Sequence, residues 1–140
     1  LCLIYTKGTR NSGKIINDQK KDKNLQYYDD IKSLVKPIER SIKNGDYKEL
    51  GKLFNIHWKS KQNLSKSISN KKIDKMYRKL MNNQNFIGGK IMGAGGGGFL
   101  LMVVANKKKA ELYLKKQNYN FTSIKFSESG SQIIQDDLNY

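Results

Sequence analysis

Gly88-Gly89-Lys90-Ile91-Met92-Gly93-Ala94-Gly95-Gly96-Gly97-Gly98 runs directly into Phe99-Leu100-Leu101-Met102-Val103-Val104. Eight of the first eleven residues are glycine or alanine, so the backbone there can bend sharply and approach a ligand or another strand. The apolar run behind it has the length and β-branched content of a buried strand. A loop of this kind, anchored in a core, most often handles phosphate through its backbone amides. Six small residues in a row, Gly93 to Gly98, exceed what a plain hairpin turn needs.

Gly93, Gly95 and Gly98 satisfy G-x-G-x-x-G, yet the dinucleotide fingerprint needs a helix straight after the glycines, and here a strand follows. Glu111 falls in a predicted helix, so no acidic residue ends a second strand at the required distance. A Walker A loop fails as well, because Phe99 stands where lysine is needed.

Working outward, Leu1–Thr6 reads as a strand and Thr9–Gln19 as a turn into a short helix with Ile15 and Ile16 facing in. Leu25, Tyr28, Ile31, Leu34, Val35, Ile38 and Ile42 recur at helical spacing, and Pro37 predicts a kink or break near Lys36. Asn44-Gly45 ends that helix; Asp46, with Glu49 three residues on, starts the next. Its expected inner face carries Tyr47, Leu50, Leu53, Phe54, His57, Trp58, Lys61 and Leu64. Ser69-Asn70 caps a helix bearing Ile73, Met76, Tyr77 and Leu80. Strands are expected at Lys90–Met92 and Phe99–Ala105, a helix from Asn106 to about Gln117, and a strand at Phe121–Phe126 with Ile124 and Phe126 on one face. The fold class that follows is α+β, helices on one face of a small, mainly antiparallel sheet.

The loop with its flanks resembles the third conserved motif of the GHMP kinases, the galactokinase, homoserine, mevalonate and phosphomevalonate kinase superfamily. His57-Trp58-x-x-Lys61, Leu64-Ser65, Ile68-Ser69, Ile73-Asp74, Tyr77 and Gly88-Gly89-Lys90 are similar to the D-glycero-D-manno-heptose phosphate kinase branch. Leu3-Ile4-Tyr5-Thr6 with Arg10 fits the Tyr-Thr-Gly-x-x-Arg of that branch, with Lys7 at the glycine position and Gly8 after it. The resemblance runs from about Leu3 to about Gly130 and makes residues 1–140 a GHMP kinase C-terminal, ferredoxin-like domain with its core at about 42–126. It implies an ATP- and Mg²⁺-dependent kinase acting on a sugar phosphate for bacterial surface polysaccharide precursors. The family's Ser-rich ATP loop and catalytic Asp belong to an N-terminal domain whose pattern does not occur in this chain. No catalytic residue is therefore expected here, and the isolated chain is expected to be inactive.

By the same resemblance Gly93, Ala94, Gly95, Gly96, Gly97 and Gly98 would contact or shape the sugar phosphate site. Arg10, near a helix start, is a candidate phosphate ligand through its guanidinium fork or else an ordinary surface ion pair. Lys90 is a candidate to neutralise phosphate, unless strand alternation turns it to solvent. Trp58 is a candidate sugar-stacking ring, though helical spacing makes it a core residue by default. His57 reads as a packed histidine rather than a catalyst. The pairs Asp29-Asp30 and Asp136-Asp137 do not share a helix face, and no spacing suggests a metal site.

The net charge of +15 raises the alternative of a non-catalytic basic domain that binds nucleic acid or an acidic partner, and a separately encoded kinase remnant is a third reading. Against nucleic acid, only Arg10, Arg40 and Arg78 are arginine, and the lysines are spread over every segment. The charge would in any case speed the arrival of anionic substrates. The one cysteine, Cys2, suits a reducing cytoplasm and reads as a small buried hydrophobe. No segment has the length of a membrane span.

Overall fold

The computed structural model describes residues 1–8, 12–21, 25–127 and 130. In chain order the elements are β1 (Cys2–Tyr5), α1 (Ser12–Lys21), α2 (Leu25–Ser33), α3 (Val35–Lys43), α4 (Tyr47–Gln62), α5 (Lys71–Met81), β2 (Phe86–Ile91), β3 (Phe99–Val104), α6 (Lys107–Lys116) and β4 (Phe121–Ser123). None of the described helices is long and apolar enough to cross a membrane.

The helix boundaries follow local chemistry. The break between α2 and α3 falls at Leu34, three residues before Pro37. Proline has no N–H and crowds the carbonyl four residues back, so it is accepted only in a first turn, and the new helix has to begin ahead of it. Asp46 caps α4 by accepting from the Glu49 amide at 2.9 Å. Glu49 does not complete a reciprocal box; its carboxylate pairs with Lys52 at 3.2 Å instead. Asn70 caps α5 by accepting from Lys72 and Ile73, and Asn106 caps α6 by accepting from Lys109.

The four strands form one antiparallel sheet in the order β2-β3-β1-β4. Strand alternation divides its side chains between two faces. Cys2, Ile4, Leu100 and Met102 pack with Ile15 of α1, Ile73 and Leu80 of α5, and Ala110 and Leu114 of α6. Helices also reach beyond the one face expected from the sequence: Leu101 and Val103, which alternate with that set, pack with Leu50 and Phe54 of α4 and Ile38 of α3.

Between the two faces α4 runs along the free edge of β2. Asn55 mimics a neighbouring strand, accepting from the Gly89 amide at 3.2 Å and donating to the Ile87 carbonyl at 3.3 Å. The Tyr77 hydroxyl of α5 donates to the Gly89 carbonyl at 3.0 Å and also touches the Asn55 amide oxygen. The outward Ile87 carbonyl and the Gly89 amide and carbonyl of this edge strand are thereby satisfied internally.

Three local expectations are corrected. β2 starts at Phe86, not Lys90, because Gly88 and Gly89 act as strand residues where α4 presses against the backbone. Ile16 is 43% exposed, since it lies a hundred degrees around the helix from buried Ile15. Phe126 is 49% exposed: pairing with β1 carries on only to the bond from the Ile124 amide to the Leu1 carbonyl, so the alternation ends before Phe126.

Candidate functional site

The loop between β2 and β3 is held on three sides. The Met92 amide donates to the Phe99 carbonyl at 2.8 Å and closes its base. Lys61 of α4 donates to the Gly93 carbonyl. The Gly96 amide donates to the Ile68 carbonyl at 2.8 Å, and the Thr6 amide and hydroxyl both reach the Gly98 carbonyl, at 2.9 and 3.0 Å.

Glycine is required here for two reasons. Gly93, Gly95, Gly96 and Gly98 have positive φ, at 70°, 110°, 73° and 86°. At Gly95 a Cβ would lie 2.8 Å from the Ile68 carbonyl oxygen, and at Gly97 the same distance from that of Gly8. Gly95 and Gly97 are buried, Ala94, Gly96 and Gly98 half-buried, and Gly93 exposed. Packing thus accounts for the buried glycines, while the Gly96 amide is already engaged with protein.

Beside the loop lies a cleft of about 560 Å³ between the turn after β1 and the start of α5, lined by Thr6, Lys7, Gly8, Lys71, Lys72 and Gly96, among others. Its chemistry is positive throughout. Lys7, Lys71 and Lys72 carry exposed ammonium groups, and the N-terminal end of α5 adds the positive end of a helix dipole. The acidic group in that first turn, Asp74, is turned to other partners, accepting from Ser69 Oγ at 2.6 Å and from Gln62 Nε2 at 3.0 Å. Such a cleft suits a compact anion held by several point charges and flanking backbone.

Comparison with protein families decides the class, because the family described as "GHMP kinases C terminal" matches residues 38–119, more than half of the chain. The chain belongs to the GHMP kinase C-terminal family. Comparison with curated protein sequences finds no match. Among solved structures, L. major mevalonate kinase in complex with R-mevalonate is similar at 21% identity and a TM-score of 0.72, over 83% of this chain and 37% of that one. Streptococcus pneumoniae phosphomevalonate kinase in complex with phosphomevalonate and AMPPNP follows at 19% and 0.68, over 88% and 39%. Lactococcus lactis galactokinase complexed with galactose is similar at 14% and 0.59, over 86% and 43%. At these identities the likeness shows the shared fold. The chain spans well under half the length of each.

Within this GHMP kinase C-terminal domain the sequence-derived candidates separate. Arg10 lies outside the described residues. Trp58 is 2% exposed and packs in the core, its ring 6.2 Å from that of Tyr77 at a tilt of 49°, so little of the ring is open to a ligand. Lys90 is half-buried and points away from the basic cleft, into a second cleft between α2, α3 and α4. There its Nζ stands 3.2 Å from His57 Nε2 and 5.5 Å from the centroid of the Phe54 ring.

Burial holds the Lys90 pKa below the ordinary lysine value. Burial, then the charges of Lys90 and Lys61, pull that of His57 down to about 4. His57 is therefore an uncharged imidazole at neutral pH, with Nε2 facing the Lys90 ammonium and Nδ1 buried. Sequence reasoning passed over Lys7, Lys71 and Lys72 as sites. Lysine doublets occur throughout the chain, and only the placing of the α5 N-terminus against the loop sets this pair apart. Among the described residues no cluster of His, Cys, Asp or Glu could hold a metal ion.

Proposed function

We propose that this domain is the C-terminal part of an ATP-dependent GHMP-type sugar kinase, one that transfers the γ-phosphoryl group of ATP to a hydroxyl of a heptose phosphate. The observation that carries the reading is the basic cleft at the end of the glycine loop. Three ammonium groups, a helix N-terminus and small-residue backbone converge there, and a sugar phosphate needs that combination. Of the loop, Gly96 lines the cleft, and Gly93, Ala94 and Gly98, none of them buried, extend the proposed wall of the substrate site. Buried Gly95 and Gly97 hold its shape. By the sequence resemblance alone, Arg10 would add a guanidinium as a further phosphate ligand.

ATP and Mg²⁺ are bound mainly by a preceding N-terminal domain that supplies the nucleotide loop and the catalytic Asp. Phosphoryl transfer is chiefly positioning and charge stabilisation, so the role of this domain is to fix the sugar phosphate against that loop. The heptose assignment rests on the sequence resemblance, from His57-Trp58 to Gly88-Gly89-Lys90 and at Tyr5-Thr6. The deciding experiment follows ADP release with a panel of heptose, hexose and mevalonate-type substrates, for the chain alone and joined to a GHMP N-terminal domain. Turnover that needs both the joined domain and a heptose phosphate supports the reading. A preference for an unphosphorylated substrate, or none for heptose, overturns it.

A further inference from the structure

The second cleft has a character opposite to the first. It encloses about 430 Å³, within the range of small-ligand sites, and its walls are Ile31 of α2 and Val35, Ile38 and Ile42 of α3. Val35 is 60% exposed and Ile42 36%, so α3 turns an incompletely covered apolar stripe toward the opening. At the base stand His57 and Lys90. Glu39 and Lys43 on the rim pair with each other at 2.6 Å and leave no charge over.

The Lys90 ammonium is then the uncompensated charge of the cleft: among the described residues it forms no ion pair. One of its hydrogens is directed to neutral His57 Nε2 and one flank faces the Phe54 ring. An ammonium has three donors, so donor capacity remains toward the cleft. A half-buried cation under aliphatic walls is complementary to an apolar body with a single anionic head. A sugar phosphate does not fit, because its hydroxyls would lose water against isoleucines and the phosphate would carry a second charge without a partner.

We propose that this cleft is a binding site for a small amphipathic carboxylate, its head on Lys90 Nζ and its aliphatic body along Ile31, Ile38 and Ile42. The depressed pKa of Lys90 agrees with a cation that lacks a counter-charge. The site is also coupled by position to the glycine loop. His57 at its base and Lys61, which holds the Gly93 carbonyl, are successive turns of α4 on one face. Lys90 in turn lies three residues before Gly93. An occupant therefore acts on the two elements that place the loop.

The test titrates the chain with decanoate, below its micelle concentration, while following isoleucine methyl resonances, with decanol as the uncharged match. The expected result is a set of shifts at Ile31, Ile38 and Ile42, with decanoate bound at least about tenfold more tightly than decanol. Lys90→Met should erase that preference, while Lys108→Met, on the exposed face of α6, should keep it and so exclude a general effect of net charge. Val35→Asp, on the exposed wall, should weaken decanoate about tenfold without disturbing the core, and it decides the matter if Lys90→Met does not fold. Shifts confined to other residues, equal affinity for decanoate and decanol, or a preference that survives Lys90→Met and Val35→Asp overturns the assignment.

Discussion

Gly51 and Gly88 meet where α4 crosses β2, so closely that a Cβ on Gly88 would lie 2.0 Å from the Gly51 carbonyl oxygen. A Cβ on Gly51 would in turn meet the Ile87 side chain at 2.6 Å. Two absent side chains thus set the distance at which Asn55 can pair with the edge of β2. Gly88→Ala should destabilise the domain by about 3 kcal/mol, the upper end for overpacking, because backbone atoms rather than a flexible side chain obstruct the methyl group. Urea unfolding measures this as a lowered midpoint with an unchanged slope. Gly45→Ala is the control: no atom lies within 4 Å of its added methyl, and only the left-handed φ of 66° resists it, at about 1–2 kcal/mol. Equal losses at the two sites would contradict the tight crossing.

His57 gives the domain an acid sensitivity of known direction. Its pKa is about 4 in the folded chain and near 6.5 when unfolded. Between those values the unfolded chain binds a proton that the folded chain does not. Stability is therefore complete above about pH 6.5 and declines as the pH falls toward 4. The ring keeps solvent contact that screens the effect, so the loss should be about 1–2 kcal/mol. Melting temperatures from pH 7 to 4.5 should fall more steeply for the native chain than for His57→Gln. The same cause predicts that Lys90→Met raises the His57 midpoint in a proton titration, and a native midpoint at 6–6.5 would refute the burial argument.

Much of this fold was legible in local chemistry. Asp46, Asn70 and Asn106 stand one residue before apolar-periodic segments, and each is the cap of its helix. The run Phe99–Val104 shows its β-branched, apolar character without any tertiary context. Gly88 and Gly89 were not legible as strand, because glycine is a poor strand former and its reason for being there, the pressure of α4 on one side and Met102 on the other, is a tertiary one. In the site, the glycine loop was visible, and the family it resembles is the one that matches residues 38–119. Its lysines were not, because a basic cleft is made by bringing Lys7 beside Lys71 and Lys72, which sequence distance conceals. Lys90 and the loop, adjacent in sequence, open into different clefts because strand alternation separates them.

Lys7 stands in the left-handed region at φ 55°, a conformation that disfavours any residue with a Cβ. The heptose phosphate kinase pattern carries glycine at this position. Here the strained position carries a lysine that lines the basic cleft. Lys7→Gly should raise stability by up to about 1 kcal/mol, the relief of strain being partly offset by the greater freedom of glycine in the unfolded chain. Thermal unfolding would detect this as a small upward shift. A lower melting temperature would mean that the side chain contributes more through contacts than the backbone loses through strain.

The pair Lys71 and Lys72 separates the function of the cleft from its stability. Both side chains are exposed, and Asn70, not either lysine, caps the helix. Replacing both with Met should leave the unfolding free energy within about 0.5 kcal/mol of the native value. Affinity for a sugar phosphate should fall about tenfold or more, as two point charges near the phosphate are lost. The salt dependence gives an independent reading. Native binding should weaken steeply between low and physiological ionic strength, and the double variant should respond less, because fewer exposed charges remain to be screened. An unaltered affinity with an unaltered salt response would remove the phosphate from the α5 N-terminus and leave the glycine loop as a packing device.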